Sequence, residues 1–526
     1  MTNFISLDDD VLRLIAAELD LAQRVSGFGL VNKRLHSLSL DSPIALFVVG
    51  PLGPFKLSWT AFLESIEKID RDDKLSDAEK EHRLVAAARA LFASSSLASP
   101  AVRGLHFARL PFCLLETVFQ VFPNISHLRI DLLSPRAWME APEADFKGPA
   151  IALENLPRAL RSVKLVLGFN RVPFPFAALT SIDLSITNTE MKRSRSMALS
   201  DEALDQVLTP NLTSLKLHFF DTLLPKLSAY HNENLRRLEL QSPFLESVFP
   251  NLSYLPNLEE LSISGFRGYQ LKLKSVGISF GALPAEVGPG FENLSNLRVL
   301  ELGNCSGLSL SSFKSLAKLE VLSVDFIFEI DKPAAEFSRI AELKHLRDLR
   351  IYGKLGENLG LLLTLSPILG NLERFKLIRE VSSWSPPFDP SPLLKLLSPS
   401  KLKSMALSSM SITENTTKEI GIFTKLTSLF LHPVKKTPVG NDWLLNLATL
   451  TALESLTLTT DYGATDAVPP SRITTSGMVS FLQNKPLLCY AIIQLPWIES
   501  EFDVDAVKKA VFLPSKQLIT LGYKKI

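Results

Sequence analysis

Cysteine is scarce in this chain: its 526 residues include three, Cys113, Cys305 and Cys489, far apart from one another. There is no Cys-x-x-Cys pair and no even-numbered framework, so neither a disulfide scaffold nor a cysteine zinc site is indicated. An excess of one charge sign is missing as well. The 56 basic and 55 acidic residues leave a formal charge of +1, which argues against a globally basic nucleic-acid binder. The longest apolar run, Leu359–Leu372, contains Pro367 and is too short to span a bilayer. The leading residues, Met1 to Asp10, lack the basic start and apolar centre of a secretory signal. These absences predict a chain of the cytoplasm or nucleus, with no membrane partner and no nucleic-acid partner. A composition of 46% hydrophobic and 21% charged residues is that of a folded protein, not a disordered one.

Signatures of catalysis are likewise missing. The eight histidines are scattered, and none sits in a His-Glu-x-x-His motif. No phosphate-cradling glycine loop and no Gly-x-Ser-x-Gly elbow occurs. The run Gly303-Asn-Cys-Ser-Gly307 has the outline of such an elbow, but its centre is Cys305 and it follows a repeat strand. No catalytic residue, metal ligand or cofactor is expected, and the chain is read as non-catalytic.

What is present is a repeat. The template Leu-x-x-Leu-x-Leu, with other apolar residues allowed at the three fixed positions, starts at Val102, Ile125, Leu160, Leu179, Leu212, Leu235 and Leu258. It continues at Leu297, Leu319, Leu346, Leu372, Leu402, Leu426 and Leu453. The mean spacing is about 27 residues, within the range of stacked-repeat architectures. Two further copies are expected at Leu487-Tyr490-Ile492 and Leu518-Leu521-Tyr523. The last two fixed residues of each copy are two apart, so both point to one side of a short strand. One such strand cannot bury that side alone; a stack of them makes a parallel sheet over a continuous core. The intervals hold helical stretches such as Asp201–Leu208, Ser391–Leu397 and Asn441–Leu450, each starting at or next to a capping residue.

These copies resemble leucine-rich repeats. The run Leu297-Arg-Val-Leu300-Glu-Leu302-Gly-Asn-Cys305-Ser-Gly-Leu308 is most similar to the cysteine-containing subtype. The resemblance implies an α/β solenoid with a parallel sheet on its concave face, helices and loops on its convex face, and partners bound on the concave side. It also implies that Cys305 lies in the repeat core. The solenoid is assigned to residues 99–526, most regular over 210–460, and Pro-rich stretches at Ser134–Pro149 and Ser382–Pro392 read as rim loops.

Residues 1–48 carry no copy. Asp9–Leu19 predicts a helix with Val11, Leu12, Ile15 and Leu19 on one side. Leu21–Leu38 sets Val25, Phe28, Val31, Leu35 and Leu38 at helical spacing. The series Leu7, Val11, Leu12, Ile15, Leu19, Val25 and then Leu30-Val31-Asn32-Lys33-Arg34-Leu35 resembles an F-box, with Asp8 where that family usually has Pro and Leu35 where Trp or Phe is common. The resemblance implies a small all-α domain that docks on a Skp1-like adaptor, and through it a cullin, using Leu7, Val11, Leu12, Ile15, Leu19, Val25, Leu30, Val31, Lys33 and Leu35. An F-box ahead of leucine-rich repeats implies the substrate-recognition subunit of an SCF-type ubiquitin ligase with an unknown protein substrate. The alternative is a plain binding scaffold or inhibitor whose leading helices only cap the solenoid. Residues 49–98 read as a helical connector, with a capping box at Ser76-Asp-Ala-Glu79.

Strand alternation extends to candidate binding residues. Positions flanking the last two fixed residues face outward. They are Asp348, Arg350 and Tyr352, then Arg374, Lys376 and Ile378, followed by copies bearing Ser, Thr and Ala around a solitary Phe430 and His432. A basic strip of Arg350, Arg374 and Lys376 beside Tyr352, Phe430 and His432 is the expected substrate-binding surface, with Phe430 as aromatic anchor.

Overall fold

The computed structural model describes residues 47–49, much of 64–134, and 157–167, 179–186, 209–219 and 232–241. It continues, with short interruptions, through 252–264, 294–303, 313–326, 333–353, 358–379, 388–434, 439–459 and 472–494, and ends in short runs within 502–522. Residues 1–46, and with them the F-box-like segment, lie outside the described residues, as do Cys113, Cys305 and Asp201–Leu208. Two compact units divide the chain, Met1–Leu255 and Pro256–Ile526.

The first unit is a parallel ladder of β1 (Phe47–Val49), β2 (Gly104–Phe107), β4 (His127–Ser134), β5 (Ser162–Leu167), β6 (Ser181–Ile186), β7 (Ser214–Phe219) and β8 (Arg237–Gln241), with β3 (Leu110–Pro111) on the far end of β4. Its helices are α1 (Asp77–Ser94) and α2 (Leu115–Val121). The capping box at the start of α1 forms as its sequence requires: Glu79 Oε2 accepts from the Ser76 backbone N–H at 2.9 Å, and Ser76 Oγ accepts from the Glu79 N–H at 3.4 Å. The ladder begins one strand earlier than the repeat template, because Phe47–Val49 pairs with Leu105–Phe107.

The second unit continues the same pattern strand by strand. Its ladder runs β9 (Glu260–Ser264), β10 (Val299–Gly303), β11 (Val321–Phe326), β12 (Asp348–Gly353), β13 (Arg374–Arg379), β14 (Ser404–Met410), β15 (Ser428–Pro433), β16 (Ser455–Thr459), β17 (Tyr490–Gln494) and β18 (Leu518–Gly522), every neighbouring pair parallel. Helices α3 (Pro333–Ile340), α4 (Ser366–Leu369), α5 (Ser391–Leu394), α6 (Glu414–Gly421), α7 (Asn441–Leu447) and α8 (Thr475–Gln483) fill the intervals. A 3₁₀ turn spans Asn358–Leu365, so the longest apolar run is a turn followed by the one-turn helix α4, with Pro367 in its first turn. No helix among the described residues is long and apolar enough to cross a membrane. The fold is an α/β leucine-rich-repeat solenoid.

The repeat template lines its core, together with apolar residues of the intervals such as Phe122, Phe313, Phe423 and Leu447. All 42 fixed positions of the fourteen copies are buried, none more than 3% exposed. Register aligns them: in the second unit Leu261, Leu300, Leu322, Leu349, Phe375, Met405, Leu429 and Leu456 are successive Cα partners. The first unit repeats this through Leu105, Leu128, Val163, Ile182, Leu215 and Leu238.

The two residues between the first and second fixed positions lock this register. Their N–H groups both donate to one carbonyl of the preceding repeat. Arg298 and Val299 donate to the Glu259 carbonyl at 2.7 and 3.0 Å, and Glu320 and Val321 donate to that of Arg298 at 2.8 and 3.0 Å. The acceptors continue through Glu320, Arg347, Glu373, Lys403, Thr427 and Glu454, and in the first unit through Arg103, Ser126, Arg161, Thr180 and Thr213. The side chains at these acceptor positions alternate in sign over Glu259, Arg298, Glu320, Arg347, Glu373 and Lys403. Arg298 reaches Glu320 at 3.0 Å, Arg347 reaches Glu373 at 3.7 Å, and Lys403 reaches Glu373 at 2.8 Å. Such exposed pairs are each worth at most about 1 kcal/mol, so the backbone bonds dominate.

The last two expected copies are corrected, the first by one residue and the second by two. Leu488, Ala491 and Ile493 are the buried trio, whereas Leu487 is 55% exposed and Tyr490 and Ile492 lie on the outward side. In β18, Ile519 and Leu521 are the Cα partners of Ala491 and Ile493, so the series Leu518-Leu521-Tyr523 is out of register. A one-residue slip exchanges the two faces of a strand, and adjacent leucines at 487 and 488 satisfy the template in either register.

On the helix side, polar caps accompany buried apolar residues such as Ile420, Leu444 and Leu447. Thr413 caps α6 reciprocally with Thr416: the Thr416 N–H donates to Thr413 Oγ1 at 3.2 Å and the Thr413 N–H to Thr416 Oγ1 at 3.1 Å. Helix α5 starts at Ser391, inside the expected rim loop; Asp389 Oδ1 accepts from its N–H at 2.9 Å. Helix α7 starts after Gly440 without a side-chain cap. At its other end the fully buried Lys485 donates to the carbonyls of Leu447, Ala448 and Leu450 at 2.8, 2.7 and 2.9 Å. Burial draws this ammonium down to about 8, and the carbonyls at the helix end supply the negative charge that keeps it in place.

Replacing Leu349 by Ala should cost about 2–5 kcal/mol of unfolding free energy through the cavity it leaves. Thr457→Ala, on the outward side, should stay within about 0.5 kcal/mol of the parent. Lys485→Met should cost about 2–4 kcal/mol, because three buried carbonyls lose their donor. Urea titration monitored by circular dichroism reads all three.

Candidate functional site

Parallel register turns the outward residues of the second unit into rows. The middle row runs Glu301, Ser323, Arg350, Lys376, Ala406, Phe430, Thr457 and Ile492. On one side of it lie Asp325, Tyr352, Ile378, Ser408 and His432; on the other lie Val321, Asp348, Arg374, Ser404, Ser428, Ser455 and Tyr490. The six candidate substrate-binding residues, Arg350, Tyr352, Arg374, Lys376, Phe430 and His432, therefore share one face.

Their electrostatics differ from the expectation of a free basic strip. Asp348 is not a surface residue; its side chain is 1% exposed. Its carboxylate accepts from Arg350 at 2.7 and 3.1 Å and from Arg374 at 2.7 Å. Arg350 also reaches Glu301 at 3.2 Å. A buried carboxylate persists only where charge-assisted bonds offset its desolvation, and two guanidiniums supply them. Bonding to Asp348 holds the Arg350 guanidinium above its usual range. Lys376 is placed differently. Its ammonium lies 5.1 Å from the centre of the Tyr352 ring and forms no ion pair among the described residues.

From β14 to β17 no outward side chain is an Asp, Glu, Lys or Arg. Phe430 is half-buried and meets His432 edge-on, ring centres 6.5 Å apart and planes at 76°. His432 Nδ1 lies 2.9 Å from Ser408 Oγ, which fixes the imidazole across the strand boundary.

The first unit carries an outward row that sequence reasoning did not single out: His106, Arg129, Lys164, Asp183, Lys216 and Glu239, in successive register. Lys164 reaches Asp183 at 2.6 Å, Lys216 reaches Glu239 at 2.6 Å, and His218 Nε2 lies 3.0 Å from Glu239 Oε1. The signal was legible, since each residue stands between the last two fixed positions of its copy. Alternating sign lets lateral neighbours pair, so much of this face's charge is satisfied internally. The adaptor-binding candidates, Leu7 to Leu35, lie outside the described residues. Among the described residues, no group of three or more His, Cys, Asp or Glu is placed to hold a metal ion.

No protein-family model matches the sequence, and no curated protein matches it. Among solved structures, an internalin from Listeria monocytogenes is similar at 15% identity and a TM-score of 0.33, over 71% of this chain and 82% of the internalin chain. The assignment of the fold rests on the buried rows and strand register of this chain itself.

The His218 bond and then the Lys216 pair hold the Glu239 carboxyl down at about 2. The unfolded chain takes up that proton near the ordinary glutamate value, about 4.3. Its stabilising contribution is therefore complete above about pH 4.3 and is lost as the pH falls from there through 2. Glu239→Gln should flatten the loss of stability across this window, read by urea midpoints at a series of acidic pH values; an unchanged slope would refute the assignment.

Proposed function

We propose that this chain is the substrate-recognition subunit of an SCF-type ubiquitin ligase. The observation that carries the reading is the F-box resemblance across Leu7–Leu35, followed in the same chain by leucine-rich repeats. Leu7, Val11, Leu12, Ile15, Leu19, Val25, Leu30, Val31, Lys33 and Leu35 would dock on a Skp1-like adaptor and so on a cullin, in the cytoplasm or nucleus. The outward face of β12–β15 would hold a protein target. Its support is an uncharged stretch with an aromatic residue, bordered by a cation at Lys376, the kind of surface on which a few residues dominate binding.

The mechanism is proximity. Holding a target and a ubiquitin-charged enzyme in one assembly raises their effective concentration. The transfer chemistry belongs to other subunits, and this chain contributes no catalytic group and needs no cofactor.

The test is co-purification of the full chain with a recombinant Skp1-like adaptor. Wild type should retain the adaptor. Leu30→Asp and Val31→Asp, which place a charge in an apolar contact, should reduce retention by about tenfold or more, with the thermal unfolding of the repeats unchanged. A wild-type chain that does not retain the adaptor would leave a protein-binding scaffold in place of a ligase subunit.

A further inference from the structure

One strand of the second unit is built differently from its neighbours. The outward residues of β14 are Ser404, Ala406 and Ser408, none larger than serine. Register sets Ala406 between Lys376 of β13 and Phe430 of β15, and Ser408 between Ile378 and His432. With strands about 4.8 Å apart, the flanking side chains rise from backbones roughly 10 Å apart. By side-chain size, strand β14 is thus the low strand of a shallow trough, between the larger Lys376 and Phe430.

A second observation marks the same strand. Ser409 has a φ of 60°, a left-handed conformation rare for a residue with a side chain. The pairing with β15 shifts at this point, between Ser408 and Met410. Ser409 and Ser408 are both buried, and Ser408 is bonded to His432. Backbone outliers of this kind persist where the surrounding structure holds them and cluster at binding sites. Here the irregularity falls next to Ser408, whose hydroxyl holds the His432 imidazole.

The charges around the trough are one-sided. Arg350 and Arg374 are engaged by Asp348 and Glu301. The Lys376 ammonium, over Tyr352, faces no carboxylate among the described residues. None of the outward residues of β13 to β17 is acidic. An occupant that brings a negative charge to Lys376 and apolar surface to Ala406 and Phe430 complements every wall.

We propose that the trough over β14 receives an extended segment of a partner protein that pairs an aliphatic side chain, seated on Ala406 between Lys376 and Phe430, with an Asp or Glu that reaches the Lys376 ammonium. This rests on the reading of the face as a target-receiving surface and adds the chemistry of the occupant.

The test is selection of a random peptide library, displayed on phage, against the full chain. Enriched peptides should carry Asp or Glu within two residues of Leu, Ile or Val. A synthetic copy of the leading peptide should bind Ala406→Trp and Lys376→Glu at least about tenfold more weakly than wild type. Selection on Lys376→Glu should exchange the acidic residue for Lys or Arg. Phe430→Ala provides a third variant that removes a wall without filling the floor, and Thr457→Ala should bind as wild type does. Circular dichroism checks that each variant folds. The proposal is overturned by any of four results: no enrichment, enrichment without an acidic and aliphatic pair, affinity indifferent to Lys376 and Ala406, or displacement of the peptide by a poly-dT oligonucleotide. Adaptor retention separates the two readings. Ala406→Trp should retain the adaptor as wild type does, and loss of adaptor capture with peptide selection intact would sink the ligase reading alone.

Discussion

A parallel strand that slides by one residue turns its whole set of side chains over, so everything in this protein depends on what stops the slide. Here a single carbonyl in each repeat accepts two consecutive N–H groups from the next, as the Arg298 carbonyl does from Glu320 and Val321. The bond falls between the first and second fixed apolar positions, at the point where the chain enters the strand. It requires no particular side chain, which is why Glu259, Arg298, Thr427 and Ser126 all serve. The apolar residues then decide which register the staple holds. Burial of Leu300 and Leu302 is possible in one register and lost in its neighbour. Staple and burial select the same alignment, repeat after repeat, and agreement between local and global preference is what allows a long array to fold to one state.

The same register decides what the outward face can be. Side chains two apart on one strand and level on the next are close enough to neutralise one another. In the first unit Lys164 with Asp183, and Lys216 with Glu239, do so in adjacent pairs. In the second unit Asp348 draws Arg350 and Arg374 together. The interior-parity position at the end of β13 is occupied by Arg379, which is 2% exposed and whose guanidinium burial pushes downward. Against these paired charges, the outward row from Ala406 to Ile492 stands out by carrying no Asp, Glu, Lys or Arg, and Lys376 by forming no ion pair among the described residues.

On the helix side polar contacts add to the burial of apolar residues such as Ile420, Leu444 and Leu447. Short helices expose many terminal N–H and C=O groups for their length, and neighbouring repeats supply the partners. Asn446 donates to Thr417 Oγ1 at 2.9 Å, Thr449 donates to the Gly421 carbonyl, and Lys485 closes the end of α7. Gly421 has no side chain for a reason: a Cβ there would collide with the Asn446 carbonyl oxygen. These contacts join α6 to α7 and α7 to the turn after α8, so they fix the spacing of repeats that the sheet alone would leave to strand separation.

The sequence by itself determined the architecture, because burial of one side of a strand leaves a period-two pattern that recurs with each copy and can be read without coordinates. It determined the outward rows for the same reason, and the capping box of α1 because its partners are three residues apart. It failed at β17, where Leu487 and Leu488 fit the template equally and Ala491 is too small to register as a core position, and it set the β18 copy two residues late. Only tertiary structure decided which leucine is buried, since that follows from pairing with β16. Only tertiary structure decided that Asp348 is buried and shared by two arginines, that Lys485 caps a helix nearly forty residues upstream of it in sequence, and that the pairing of β14 with β15 shifts at Ser409. Each of these is a relation between repeats, and a pattern read along one chain records what a residue is but not what stands beside it.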